Sequence, residues 1–124
     1  MEKPAILIAD PDEHSRLLLE EMFQMMSQYS ENYQVLSTSS GKEAIHFCHA
    51  YKIKLIFTEI RLKDMDGWQL TQKVNKLYPS IPIIIQTAVI TDDIAQMVRN
   101  SEADSYLAKP INIYKMQKKV QSVL

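Results

Sequence analysis

Four short polar stretches carry the residues able to do chemistry: Asp10-Pro11-Asp12-Glu13, Thr58-Glu59, Thr87-Ala88 and Lys109-Pro110. Acids, one hydroxyl and one ammonium brought together would make a binding pocket with a few convergent polar groups. Taken singly, each is an ordinary loop residue, and Asp12 and Glu13 suit the first turn of a helix. Taken together, carboxylates facing a Thr and a Lys are hard to assign to solubility alone.

What would gather them is the pattern between them. Ala5-Ile6-Leu7-Ile8-Ala9, Leu55-Ile56-Phe57 and Ile83-Ile84-Ile85 are unbroken apolar runs, the mark of strands buried on both faces of a parallel sheet. The more mixed stretches at 33–38 and 104–108 read as edge strands. Leu18, Met22, Met25 and Tyr29 fall on one helical face at i, i+4, i+7 and i+11 and predict a first helix. Ser40-Gly41-Lys42-Glu43 has the form of a capping box and opens a second. Gly67 to Tyr78, stopped by Pro79, makes a third; Thr91 or Asp92 caps a short fourth; Asn112 caps a fifth striped with Ile113, Met116 and Val120. Five strands alternating with five helices, joined by right-handed crossovers, predict a doubly wound (βα)5 α/β domain with a parallel sheet. In such sheets ligands sit outside the carboxyl ends of the strands, where the four polar stretches fall.

Composition narrows the class. The 124 residues are 46% hydrophobic and 23% charged, and 14 basic against 15 acidic residues leave a formal charge of −1. This is expected of one globular domain over residues 1–124. No basic run offers nucleic acid or an anionic membrane surface a partner. A single cysteine, Cys48, and no apolar run near 18 residues point to a reducing cytoplasm, with neither secretion nor membrane spanning. His46, Cys48 and His49 form a cluster on the second helix, but residues two apart do not share a helical face and no fourth ligand is evident, so no metal is expected there. No Gly-rich phosphate loop is present, which argues against a small-molecule or flavin-binding flavodoxin-like protein.

The chain resembles the receiver domain of bacterial two-component response regulators over essentially all of its length. Ile6-Leu7-Ile8-Ala9-Asp10 resembles the first strand and acidic turn, and Glu59 with Met65-Asp66-Gly67 resembles the phosphoacceptor turn. Gln86-Thr87-Ala88 resembles the switch threonine, and Tyr106-Leu107-Ala108-Lys109-Pro110 the aromatic-x-x-Lys-Pro signature. The resemblance implies the flavodoxin-like strand order 2-1-3-4-5 and a cis bond before Pro110 that aims Lys109 into the pocket. It also implies that Thr87 and Tyr106 act as a switch and that Lys109 grips phosphoryl oxygens. The fourth helix, fifth strand and fifth helix would then form the face met by a protein partner, with a histidine kinase as a further partner.

Two positions depart from the resemblance. Glu59 stands where the family has the Asp that accepts the phosphoryl group; its extra methylene displaces the nucleophilic oxygen by roughly 1 Å, and displacements of that size can cost on the order of 10²-fold. Pro11 stands where the family has a metal-binding acid, leaving Asp10 and Glu59 as a weak or absent Mg²⁺ site, with Asp12 the nearest further acid. Arg61, where the family supplies a backbone carbonyl to the metal, either folds its guanidinium over Asp10 and Glu59 or stays solvated in its loop; Lys63 replaces a proline usual in that loop. His14 either borders the pocket or is an exposed first-helix residue. Trp68 is expected to pack beside the phosphoacceptor loop. The Glu59 carboxylate is expected to pair with Lys109 or approach Thr87, with Tyr106 turned inward. The expectation is an atypical receiver: a signalling and docking module, not an enzyme, without ordinary phosphorylation or a resident cofactor, whose output passes through a partner or a longer parent chain. The alternative is a conventional Mg²⁺-dependent phosphoryl acceptor.

Overall fold

The computed structural model describes residues 2–124. In chain order the elements are β1 (Ala5–Ala9), α1 (Glu13–Gln24), α2 (Ser27–Ser30), β2 (Gln34–Thr38), α3 (Gly41–Ala50) and β3 (Ile53–Glu59). They are followed by α4 (Gly67–Leu77), β4 (Ile83–Thr87), α5 (Asp92–Arg99), β5 (Ser105–Ala108) and α6 (Ile113–Val123). The five strands form one sheet in the order β2-β1-β3-β4-β5, every neighbouring pair parallel, as expected. The mixed strands β2 and β5 lie at the edges, and the apolar runs fill the middle because only central strands are covered on both faces.

Side chains alternate across the sheet into two cores. On one face Ile6, Ile8, Phe57 and Ile84 pack against Leu19 and Phe23 of α1 and Met116 and Val120 of α6. On the other, Leu7, Ile56 and Ile83 pack against Ala44 and Cys48 of α3 and Leu70 and Val74 of α4. Helix α5 buries only Val98 fully. No helix among the described residues is long and apolar enough to cross a membrane.

The first helix differs from its sequence expectation. It ends at Gln24, and a separate turn, α2, follows after Met26 adopts an extended conformation. Leu19 and Phe23 are the residues buried in α1, whereas Leu18 is 38% and Met25 76% exposed. The reason lies in Phe23 and Tyr29, whose rings meet edge-on at 5.7 Å. Six residues apart on an unbroken helix, at about 100° per residue, they would sit about 120° apart around its axis. Breaking the helix lets both aromatics enter the same core, where Phe23 also meets Phe57.

Thr91 and Asn112 cap their helices as expected, whereas the capping box foreseen at Ser40 is half formed, because the Ser40 N–H donates to the Thr38 hydroxyl instead of to Glu43. Ser40 accepts from the Glu43 N–H at the start of α3, and Asn112 accepts from two N–H groups of α6. Thr91 caps α5, and a full capping box between Asp66 and Gln69 opens α4. The Lys109–Pro110 peptide bond is cis.

Candidate functional site

The carboxyl ends of β1, β3, β4 and β5 deliver Asp10, Glu59, Thr87 and Lys109 to one cleft of about 520 Å³, which Asp12 and Arg61 also line. At its centre the Lys109 ammonium bridges two carboxylates, donating to Asp10 Oδ2 at 2.5 Å and to Glu59 Oε1 at 3.0 Å. Burial alone would pull this ammonium down. The hydrogen bonds and negative charges of Asp10 and Glu59 outweigh burial and hold its pKa above the ordinary 10.5. Asp10 is 1% exposed, so its charge is tolerable only because partners surround it.

Those partners come from several elements. Asp10 Oδ1 accepts from the Asp12 N–H at 2.9 Å, and Oδ2 accepts from Gln86 Nε2 at 3.3 Å as well as from Lys109. The Arg16 guanidinium donates to the Asp10 carbonyl at 2.7 Å, fixing the β1–α1 turn. Glu59 folds back so that Oε2 accepts the Ile60 N–H at 2.6 Å. Each of the four carboxylate oxygens therefore already accepts an N–H donor.

The β3–α4 loop is held in place from outside the cleft. Asp64 accepts from the N–H groups of Gly41 and Lys42 and from the Ser40 hydroxyl, tying the β3–α4 loop to the start of α3. The Gly67 N–H reaches the Ile60 carbonyl at 2.5 Å, and a Cβ at Gly67 would lie 2.4 Å from the Glu59 carbonyl oxygen. Only glycine permits that approach.

Thr87 is buried, and its hydroxyl accepts from the Val89 N–H at 3.3 Å rather than bonding Glu59. Tyr106 is half-buried on β5, with the Lys119 ammonium 5.8 Å from its ring centre. Asp12 is exposed and caps α1; the Ser15 hydroxyl, followed by the Ser15 N–H, holds its carboxyl below the usual range. Arg61 is exposed where it lines the cleft, and the ion pairs of Asp10 and Glu59 are both with Lys109. Lys63 is exposed and its N–H donates to the Ser39 carbonyl. His14 is exposed and lines a neighbouring groove with Gln86 and Lys109. Trp68 is half-buried at the start of α4. Cys48 points into the core, where burial pushes its thiol up to about 11, while His46 and His49 are exposed, so the three do not converge. Gln86, Arg16 and Asp64 make contacts that no motif in the sequence announces. A glutamine inside an apolar strand was the one visible signal.

The divalent cation implied by the resemblance does not fit this donor set. Mg²⁺ demands octahedral oxygen ligands and usually more than one carboxylate. Here Pro11 supplies no side-chain oxygen, Asp12 is used as a cap, and Lys109 already lies between the two remaining acids.

The sequence pattern of the response regulator receiver domain matches residues 6–121. The chain belongs to this family. The receiver domain is 32% identical over 83 residues to transcriptional regulatory protein GlrR of Escherichia coli (strain K12), covering 67% of the chain and 19% of that protein. It is 28% identical over 124 residues to the probable transcriptional regulator ycf27 of Guillardia theta, covering 98% of the chain and 46% of that protein. It thus spans less than half the length of these curated relatives. A two-component response regulator from Clostridium difficile has the same fold, with a TM-score of 0.85 and 30% identity over 98% of this chain and 95% of that one. A putative response regulator from Chloroflexus aurantiacus shares the fold at a TM-score of 0.86 and 23% identity, with 98% of each chain covered.

Proposed function

We propose that this receiver domain serves two-component signalling as an atypical receiver, a docking module not phosphorylated by the ordinary route. The observation that carries this reading is the Lys109 bridge between Asp10 and Glu59. The added methylene of Glu59 carries Oε1 to the ammonium while Oε2 takes the Ile60 N–H, so each oxygen already holds a hydrogen bond that attack on phosphorus would weaken. A nucleophile displaced in this way, with no metal site to neutralise an incoming phosphoryl group, is a poor acceptor.

The bridge is also a partial substitute for phosphorylation. Glu59 offers about one negative charge and two oxygens where a phosphoryl group offers about −1.5 to −2 and three. Moving a two-state switch from 1:99 to 99:1 takes roughly 5.5 kcal/mol of differential interaction, more than one partly exposed ion pair supplies. Thr87, bonded to Val89 and not to Glu59, fits an incomplete switch. The output face under this reading is α5, β5 and α6, met by a protein partner, with a histidine kinase as a further partner.

Incubation with Mg²⁺ and a small phosphodonor, read by intact mass, tests the proposal. The wild-type mass stays unchanged, and the double variant Glu59→Asp, Pro11→Asp gains the mass of one phosphoryl group. A stable phosphoryl adduct on wild-type Glu59 would instead establish the conventional acceptor.

A further inference from the structure

We propose that Gln86 is a positioning residue that holds the Asp10 carboxylate on Lys109 and so keeps divalent cations out of the cleft. β4 is buried along its whole length, and the three residues before Gln86 are isoleucines. A primary amide at such a position is costly unless bonded, and Gln86 is 1% exposed. Its Nε2 donates to Asp10 Oδ2, the same oxygen that takes Lys109. An ionised carboxylate only accepts, which requires the nitrogen of this amide to face it.

Strand alternation makes the arrangement possible. Thr87 faces the cleft lined by Glu59 and Val89, whereas Gln86 lines the neighbouring groove with His14, Leu18 and Ile111. Gln86 thus reaches Asp10 from the α1 side while Lys109 reaches it from the end of β5. With the Asp12 N–H on Oδ1, the Asp10 carboxylate accepts from three donors drawn from separate parts of the chain. Oδ2 takes two of them, so a cation binding that oxygen must displace either Gln86 or Lys109. In a cleft that has lost the acid at position 11, little remains to compensate.

The proposal goes beyond the docking-module reading and fails separately from it, since its test involves no phosphodonor. Mg²⁺ is titrated into wild type and Gln86→Leu, with binding read from the backbone amide shifts of Asp10 and Asp12. Removing one hydrogen bond to a charged acceptor is expected to raise Mg²⁺ affinity roughly tenfold in the variant. Equal affinity in the two proteins overturns the proposal, because a side chain that only fills space would leave metal binding unmoved. Should Gln86→Leu not fold, the side-chain amide resonances of Gln86 decide the matter. They shift between wild type and Asp10→Asn if the bond to the carboxylate is real, and identical resonances overturn the proposal.

Discussion

Lys109 carries the charge balance of the cleft. It is one cation between two acids, one of them 1% exposed. Removing it leaves Asp10 charged and buried with only neutral donors, and breaking a buried pair in this way costs about 3 kcal/mol. Lys109→Met should therefore lower stability by about that amount in urea denaturation at neutral pH, and a loss below 1 kcal/mol would mean that solvent already screens the pair. The same group sets an alkaline limit. Its folded pKa lies above the unfolded value of about 10.4, so its contribution is fully present below that pH and is lost as pH rises through the folded value. Wild type should lose stability more steeply than Lys109→Met across that window.

Among the elements, the β3–α4 loop depends on α3 for its shape. Asp64 is exposed, yet its carboxylate takes two N–H groups and a hydroxyl at the α3 start, where the helix dipole also favours negative charge. Its slight burial pushes the carboxyl up; the N–H groups of Lys42 and Gly41, with the Ser40 hydroxyl, outweigh this and hold it below 3.8. That contribution is present above the unfolded value and is lost as pH falls through the lower folded one. Asp64→Ala should cost about 1 kcal/mol, the usual value of a helix cap, and should broaden the amide resonances of residues 61–66 while leaving α6 unchanged. Unchanged loop resonances would show that the capping box at Asp66 holds the loop unaided.

Across the whole molecule, two cores share one sheet: α1 and α6 cover one face, α3 and α4 the other. Ile6 and Leu7 are neighbours on the same strand but belong to opposite cores, so neither face can open without exposing the strand that supports the other. Unfolding is expected to be a single cooperative event. Trp68 fluorescence, reporting from the α4 side, and far-ultraviolet circular dichroism should give coincident denaturant midpoints. Separated transitions would mean that the two layers come apart independently.

The apolar runs at 5–9, 55–57 and 83–85, the caps at Ser40 and Asn112 and the order of strands and helices were legible in the sequence because each depends on local periodicity or on steric rules for crossovers. The same topology made the convergence of Asp10, Glu59, Thr87 and Lys109 legible, since parallel strands bring their carboxyl ends to one edge of the sheet. The break after α1 was not legible: Leu18, Met22, Met25 and Tyr29 fit a helical stripe as well as the true buried set does, and only the packing of Phe23 against Tyr29 and Phe57 selects between them. Nor could spacing assign Arg61 and Asp12 to solvent and to a helix cap, or bring Gln86 onto a carboxylate 76 residues earlier in the chain. Periodicity says which face a side chain takes, but which polar groups become partners is decided by side-chain reach across a folded sheet, where burial makes an unpaired amide or carboxylate too costly to leave.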